Sequence, residues 1–513
     1  MAANIRKECI RGEERKVISP FSGVFVSFCC VFCAFFAVLC RDFLSCAIFF
    51  FNPSGRESET FVPLLALRID RRLAARLFLT TFVHTLLYIG ARVSGLFILK
   101  VVLVNTAENM GGAAIATKRL MQALRRDGLD ATMLVRDKTS TDPHVVALPG
   151  RFQQRFNFLA ERAGVWAANG FRRRNLFVVD TAAFGTNILR QTLVQEADIV
   201  HLNWVNQGMM SLRSIAQLLQ AGKKVVWTLH DMWPLTGICH HAEDCRGWLA
   251  SCGNCPKLLR PAAQDLSRQT FEKKMLIYGT ARLKIVACSN WLADLARQAP
   301  LLRASEVFSI PNAIDTQFFS LGSKAEARAA LGLPQDKRLI LFVAYRVTDE
   351  KKGIQYLIEA ANRLMAAQPE RKADWGVVLA GREAAIAAER FPCSVYPQAY
   401  VSQAEQMRLL YRAADVLAMP TLMDNLPNTI AEGMACGLPC VGFRVGGLPQ
   451  MVDDDLNGYL VPLADAEALA RRLFEVLTTS SYPQLSLNAR RKAETNYGAA
   501  RVAARYRAIY ETS

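Results

Sequence analysis

From residue 100 onward the chain repeats one short pattern, and that pattern constrains the fold more than any other feature. Residues 100–105 (KVVLVN) form a Val-rich run. Asn109-Met110-Gly111-Gly112 follows, then a helical pattern over 113–126 that ends at Gly128. Short aliphatic runs of this kind read as strands buried on both faces. Similar runs at 131–135, 199–202, 225–229 and 285–287 alternate with helical patterns such as 212–220. The alternation restarts at 339–343. It continues through helix 354–365, strand 377–380, helix 404–413, strand 416–419, helix 429–435, strand 440–443 and helix 466–477. Repeated strand–helix units build parallel sheets covered on both faces. The junction falls near Ile310-Pro311-Asn312, and the last helical stretch, 498–510, has no strand after it. The expectation is an α/β protein of two doubly wound domains, 98–310 and 311–497, with a C-terminal helix in 498–513. Such domains bind ligands at the C-terminal ends of their strands, so the cleft between them is the expected site.

Residues 1–97 differ from the rest. No charged residue occurs between Val17 and Cys40, and 21–40 is long enough to span a bilayer. A second apolar stretch, 77–99, contains His84 and Arg92. Arg6, Lys7, Arg11, Arg15 and Lys16 favour a cytoplasmic N-terminus, whereas Arg68, Arg71, Arg72 and Arg76 would then lie outside, against the same rule. Three readings stand side by side: a membrane anchor, a signal sequence without a small-residue cleavage pattern, or a mis-assigned start with the true one near Leu99. In each case the segment is expected to be dispensable for chemistry. Hydrophobic residues make up 51% of the chain, which excludes global disorder, and the net charge of +17 points to acidic partners. No RNA- or DNA-binding motif accompanies the charge, so nucleic acid is not an expected partner.

The chemistry concentrates in residues 420–440, PTLMDNLPNTIAEGMACGLPC. A strand ends at Met419, a loop carries Asp424, and a helix begins near Asn428. Its first amides, at Asn428 and Thr429, lie at a positive dipole end suited to phosphate. Taken alone, Thr429-x-x-Glu432 also reads as a capping box. Upstream, Arg346 follows the 339–343 strand, and Lys351-Lys352-Gly353 opens the next helix. Two cations beside a helix N-terminus suit a leaving diphosphate, although Arg and Lys more often sit in solvent.

These residues resemble the retaining glycosyltransferases of family 4, whose GT-B fold sets two Rossmann-like domains face to face. Arg346 and Lys352-Gly353 match the family's cationic pair. Glu432-Gly433-Met434-Ala435-Cys436-Gly437-Leu438-Pro439 matches its Glu-rich helix motif, and Gly446-Gly447, Asn457-Gly458 and Pro311-Asn312-Ala313-Ile314-Asp315 match further segments. Asp424 stands where most members carry a Glu. The form Asp-Asn-Leu-Pro-Asn-Thr resembles a subgroup that includes colanic-acid-type exopolysaccharide glycosyltransferases. The resemblance implies hexosyl transfer from a nucleotide sugar, UDP- or GDP-hexose, with retention, to a saccharide or lipid-linked acceptor. It places the work at the cytoplasmic face of the inner membrane. Arg346, Lys352 and the amides at Asn428 and Thr429 would stabilise the diphosphate without a divalent ion. Asp424 would hold sugar hydroxyls, Glu432 the ribose, and Gly111-Gly112 would approach the donor. His230 and Asp231, in Trp227-Thr228-Leu229-His230-Asp231, would line the acceptor face; His201 is a weaker candidate. A non-catalytic sugar-nucleotide-binding scaffold and a GT-B epimerase are the rival readings.

Two further segments stand out. Cys239, Cys245, Cys252 and Cys255 are four of the fourteen cysteines, and the last two form a Cys-x-x-Cys pair. A structural zinc knuckle is the expectation, with four reduced thiols as the alternative. Residues 151–174, RFQQRFNFLAERAGVWAANGFRRR, alternate Phe152, Phe156, Leu159, Trp166 and Phe171 with arginines. That pattern suits either an anionic lipid interface or an amphipathic helix packed on its own domain.

Overall fold

The structure, a computed structural model, describes residues 98–512 apart from Arg174 and Ser402. The proposed anchor and the start-site readings fall in residues 1–97 and so lie outside the described residues. Among those described, no helix is long and apolar enough to cross a membrane.

The first domain runs β1 (Lys100–Ala107), α1 (Gly112–Arg126), β2 (Asp130–Asp137), β3 (Val145–Ala147), α2 (Arg151–Ala168), α3 (Thr192–Glu196), β4 (Ile199–Leu202), α4 (Leu212–Gln220), β5 (Lys224–Leu229), α5 (Leu266–Tyr278), β6 (Lys284–Ala287), α6 (Asn290–Gln298) and β7 (Glu306–Ser309). Its seven strands are parallel, in the order β3-β2-β1-β4-β5-β6-β7. The second domain runs α7 (Lys324–Leu331), β8 (Arg338–Arg346), α8 (Ile354–Ala367), β9 (Trp375–Arg382), α9 (Ala384–Ala388), β10 (Ser394–Gln398), α10 (Ala404–Ala413), β11 (Val416–Met419), α11 (Asn428–Ala435), β12 (Cys440–Phe443), α12 (Leu448–Met451), β13 (Gly458–Val461), α13 (Ala466–Thr478), α14 (Tyr482–Tyr497) and α15 (Ala499–Glu511). Its six strands are also parallel, in the order β10-β9-β8-β11-β12-β13. In each sheet the strand order reverses once, beside β1 and beside β8. Crevices for ligands open at such points.

Each sheet is buried on both faces because its strands are almost wholly apolar. On one face of the first sheet Val102, Val104 and Val200 join a core with Trp227 and Trp233. On the other, Val101, Leu103 and Ile199 pack against Leu120, Leu124 and the terminal helix. That helix, α15, follows the second domain in sequence but contributes Val502, Ala503, Tyr506, Ile509 and Tyr510 to the first domain's core. The return crossing is pinned beside the forward one: Ile314 N donates to Tyr497 O at 2.8 Å, and Ala499 N donates to Ile314 O at 3.0 Å. Two adjacent chain crossings therefore set one sheet against the other.

Candidate functional site

The C-terminal ends of β1 and β8 open onto one cavity of about 950 Å³. From the first domain it is lined by Asn109, Gly111, Gly112, Lys118, Arg119 and His230, among others. Lys352, Asp424, Asn428, Thr429 and Glu432 line it from the second.

The first-domain wall is built by the turn from β1 into α1. Gly111 takes φ +89°, in the left-handed region where glycine carries no Cβ penalty, and is the N-cap of α1 with no side-chain cap. The turn is braced from beneath by Glu108, fully buried at the end of β1. Its carboxylate accepts from Lys118 Nζ at 2.7 Å, Thr139 N at 2.7 Å and Ser140 N at 2.9 Å. Burial alone would raise this carboxyl, but Lys118 and the donors from residues 139 and 140 outweigh it and hold it at about 2. The helix N-terminus is thus held open toward the cavity.

The opposite wall is the loop from β11 into α11. Lys352 Nζ donates to Asp424 Oδ2 at 2.7 Å, a partly buried ion pair at the cavity wall. Burial lowers the Lys352 ammonium and Asp424 more than restores it, so the group stays charged. Glycines of neighbouring segments pack directly against this loop, among them Gly353 and Gly446. A Cβ on Gly353 would sit 1.7 Å from Pro420 O, and one on Gly446 would sit 1.9 Å from Asp424 O. Both have positive φ. α11 starts at Asn428 behind Pro427, again without a side-chain cap. Two uncapped helix N-termini therefore meet across the cavity, and Asn428 Nδ2 donates to Gly112 O at 3.2 Å between them. The arrangement offers backbone N–H groups and one ammonium to an anion.

Glu432 corrects the capping-box reading. One oxygen accepts from Arg119 Nη1 at 2.7 Å, the other from Tyr411 Oη at 2.7 Å, and the residue is buried. It lies beyond the first turn's cap and joins α11 to α1 across the cleft. Arg119 had no signal in the sequence: it is one more Arg on a helix, 313 positions from its partner. Asn425 escaped notice for the same reason. It accepts from Ser289 Oγ at 2.5 Å and donates to His230 O at 3.2 Å, tying the two domains behind Asp424.

His230 lines the cavity, with Nε2 3.1 Å from Asn203 Oδ1 and Nδ1 3.5 Å from Cys288 Sγ. Burial lowers its pKa to about 4 against the opposing pull of Asp231, so the ring is neutral at pH 7. Asp231, expected beside it, is not brought into the cavity. Its carboxylate turns away to accept from Trp204 Nε1 at 2.8 Å and Trp233 N at 2.9 Å, and it lies 2.7 Å from His240 Nδ1. Burial would raise this carboxyl, yet His240 and the Trp233 amide hold it at about 2. His201 is fully buried, 2.7 Å from both Tyr510 Oη and Thr228 Oγ1, and belongs to the sheet–α15 interface.

Arg346 is likewise not among the cavity-lining residues. It ends β8 with an exposed side chain 3.4 Å from Glu383. The cavity wall beside it carries Tyr345 instead, whose ring meets Tyr400 edge-on at 5.2 Å. The four cysteines at 239–255 are free thiols. Burial raises the Cys239 thiol to about 12 and the Cys252 thiol to about 11. Among the described residues no group of three His, Cys, Asp or Glu is placed to hold a metal ion.

Residues 110–318 match the family profile described as Glycosyltransferase Family 4, and residues 337–479 match the one described as Glycosyl transferases group 1. The D-inositol 3-phosphate glycosyltransferase of Saccharomonospora viridis is 27% identical over 317 residues, covering 56% of this chain and 65% of that enzyme. Its counterpart in Mycobacterium tuberculosis is 27% identical over 374 residues, 68% of each chain. The chain thus spans about two thirds of the length of these relatives. Among solved structures it resembles sucrose-phosphate synthase from Thermosynechococcus elongatus, with a TM-score of 0.56 and 20% identity over 81% of this chain and 100% of that one. It also resembles Anabaena Alr3699/HepE in complex with UDP-glucose, with a TM-score of 0.54 and 16% identity over 81% and 100%. At these identities the likeness establishes the fold, which is GT-B.

Proposed function

We propose that this chain, which carries the two domains of a family 4, GT-B glycosyltransferase, moves a hexosyl group from a nucleotide sugar to a saccharide or lipid-linked acceptor with retention. The observation that carries the reading is Lys352, 2.7 Å from Asp424 and beside the uncapped N-terminus of α11, at the wall of the interdomain cavity. An ammonium and free helix amides stabilise charge that develops on a departing diphosphate. In this scheme Asp424 accepts from sugar hydroxyls once Lys352 engages phosphate. Neutral His230 faces the same cavity from the acceptor side and offers a hydrogen bond without a competing charge. The leaving diphosphate oxygen takes the acceptor's proton, so the scheme asks for no separate base. Tyr345 and Tyr400 bring aromatic surface, with Arg382 over both rings, to the cavity wall where a nucleobase can pack. The UDP-glucose complex of Alr3699/HepE supports a UDP-hexose as the first donor to try. The Asp424-Asn425-Leu426-Pro427-Asn428-Thr429 form supports an acceptor in exopolysaccharide or surface-polysaccharide assembly, at the cytoplasmic face of a membrane.

The test is a thermal-shift screen of the full chain against UDP-, GDP- and ADP-sugars, with and without EDTA. Product analysis by NMR follows for any donor that binds. A selective shift that survives EDTA, followed by transfer with the donor's anomeric configuration kept, is the expected result. Binding of a donor with no turnover would leave the sugar-nucleotide-binding scaffold reading standing, and a folded protein that binds no donor would overturn both. Conversion of the donor to its epimer without transfer would replace the proposal with the epimerase.

A further inference from the structure

We infer that the outward face of α2, with the loop after it, is a docking surface for an anionic lipid bilayer. The helix is turned inside out. Its buried residues are Gln154, Asn157, Glu161, Arg162 and Val165, four of the five polar. They are buried because they tie the helix down. The Glu161 carboxylate accepts from the amides of Thr181 at 2.7 Å, Ala182 at 3.1 Å, Ala183 at 2.9 Å and Phe184 at 3.2 Å. Arg162 donates to Asp180 at 2.5 Å. Asn157 donates to Thr186, and the Thr186 hydroxyl donates to Gln154. With the polar stripe facing inward, the helical period sends the aromatic stripe into solvent. Phe152 is 86% exposed, Phe156 52% and Phe171 66%, with Leu159, Trp166 and Phe177 beside them in sequence and also exposed. Soluble domains seldom leave such a set uncovered.

Charge selects the occupant. Arg151, Arg155, Arg172 and Arg173 are exposed among the aromatics. The carboxylates between residues 151 and 184 are Glu161 and Asp180, and both are buried and bonded internally. Among the described residues of 151–184 the surface is therefore apolar and cationic with no exposed carboxylate, the complement of an anionic headgroup layer. Position adds to this. α2 starts just past the C-terminal end of β3, on the cleft side of the sheet. The loop that follows is fastened to residues 257–259: Asn175 Nδ2 donates to Lys257 O at 2.9 Å, and Leu259 N donates to Asn169 Oδ1 at 2.7 Å. Lys257 pairs with Glu243, which lies 3.5 Å from Lys351 of the second domain, next to Lys352. A bilayer on this face adjoins the cleft. The inference builds on the proposed lipid-linked acceptor but is read by a separate measurement.

The experiment is co-sedimentation of the full chain with vesicles of phosphatidylcholine alone or mixed with phosphatidylglycerol. It compares the wild type with Arg151→Glu/Arg155→Glu and with Phe152→Ser/Phe171→Ser. All four positions are exposed, so the melting temperature should hold. Binding should require phosphatidylglycerol and weaken with salt, and each double variant should bind about tenfold less or worse. Equal binding by wild type and variants, as when residues 1–97 carry the attachment, overturns the inference. So does equal binding to neutral vesicles, or self-association in ultracentrifugation that the Phe variants abolish without any vesicle binding. Transfer to soluble and to lipid-linked saccharides in the same vesicles is measured alongside, together with donor hydrolysis. Absence of all three in wild type, with docking intact, would defeat the functional reading alone.

Discussion

His201 shows how a single buried side chain shapes the molecule's response to acid. It sits between Thr228 and Tyr510, and burial, with His230 nearby, lowers its pKa from 6.5 to about 3. In the unfolded chain the ring protonates near 6.5; in the fold it stays neutral until far lower. Between those values the unfolded state holds more protons, so stability falls as pH drops from 7 toward 4. By pH 5 the loss from this one group amounts to about 2 kcal/mol. The buried carboxylates Glu108 and Asp231 act in a lower window, below their ordinary values near 4. His201→Gln should therefore lessen, without abolishing, the decline in urea midpoint between pH 7 and pH 5, because His230 contributes in the same window; an unchanged slope would show that His201 does not titrate as argued. At the same scale, Lys352→Ala should reduce transfer about 10²-fold or more with only a small change in melting temperature. A folded variant with normal turnover would remove Lys352 from the mechanism. The places of Lys352, Asp424 and Asn428 at the cavity wall were legible because they follow from short spacings after a strand. The directions of Asp231 and Arg346 were not, because side-chain direction at a strand end is decided by partners that no strand–helix spacing reveals: Trp204 and His240 for one, Glu383 for the other.

At the scale of elements, the alternation of Val-rich runs with helical patterns was enough to read both parallel sheets. What it left out were β3, β7, β10 and β13, the edge strands of the two sheets; the first three are only partly buried and so lack the aliphatic run that marks a central strand. It also left out where α15 packs. Periodicity gives a helix an apolar face but not the sheet that receives it, and this one crosses back to the first domain. The buried set Val502, Ala503, Tyr506, Ile509 and Tyr510 covers Val101, Leu103 and Ile199. Burial of the larger side chains stabilises by about 1.5–3 kcal/mol each, so their joint loss rivals the whole stability of an ordinary domain. A chain ending at Gly498 should consequently lose the cooperative unfolding of its first domain and precipitate on expression. A soluble truncated protein with the full chain's melting temperature would mean that α15 is an accessory. α2 shows the converse limit of pattern reading. Its composition revealed two faces, but only the bonds to residues 180–186 showed that the polar one is inside.

For the molecule as a whole, the question is what holds two domains closed over a cavity meant to admit a charged ligand. The chain crosses between them at residues 310–315 and 497–499, and side chains bridge the cleft itself. Among the bridges, Lys351–Glu243 is exposed and contributes little, whereas Arg119–Glu432 is buried and shares Tyr411 as a third member. A buried pair is a poor source of net stability, yet breaking one side of it is expensive because the other charge is left stranded. Arg119→Ala should accordingly cost about 3–5 kcal/mol, and calorimetry should resolve the single transition into two as the domains uncouple. Removing Glu432 as well relieves the stranded charge, so Arg119→Ala/Glu432→Ala should be no less stable than Arg119→Ala alone, giving a coupling of opposite sign to simple addition. Additive losses in this cycle would mean that the two side chains act separately. Coupled losses with a single transition would mean that the chain crossings alone keep the domains together. If the cycle behaves as expected, Glu432 is a latch, and on the proposed reading that it also holds the donor, a donor that engages it competes with Arg119. Entry of the nucleotide sugar and release of the cross-cleft latch would then be one event.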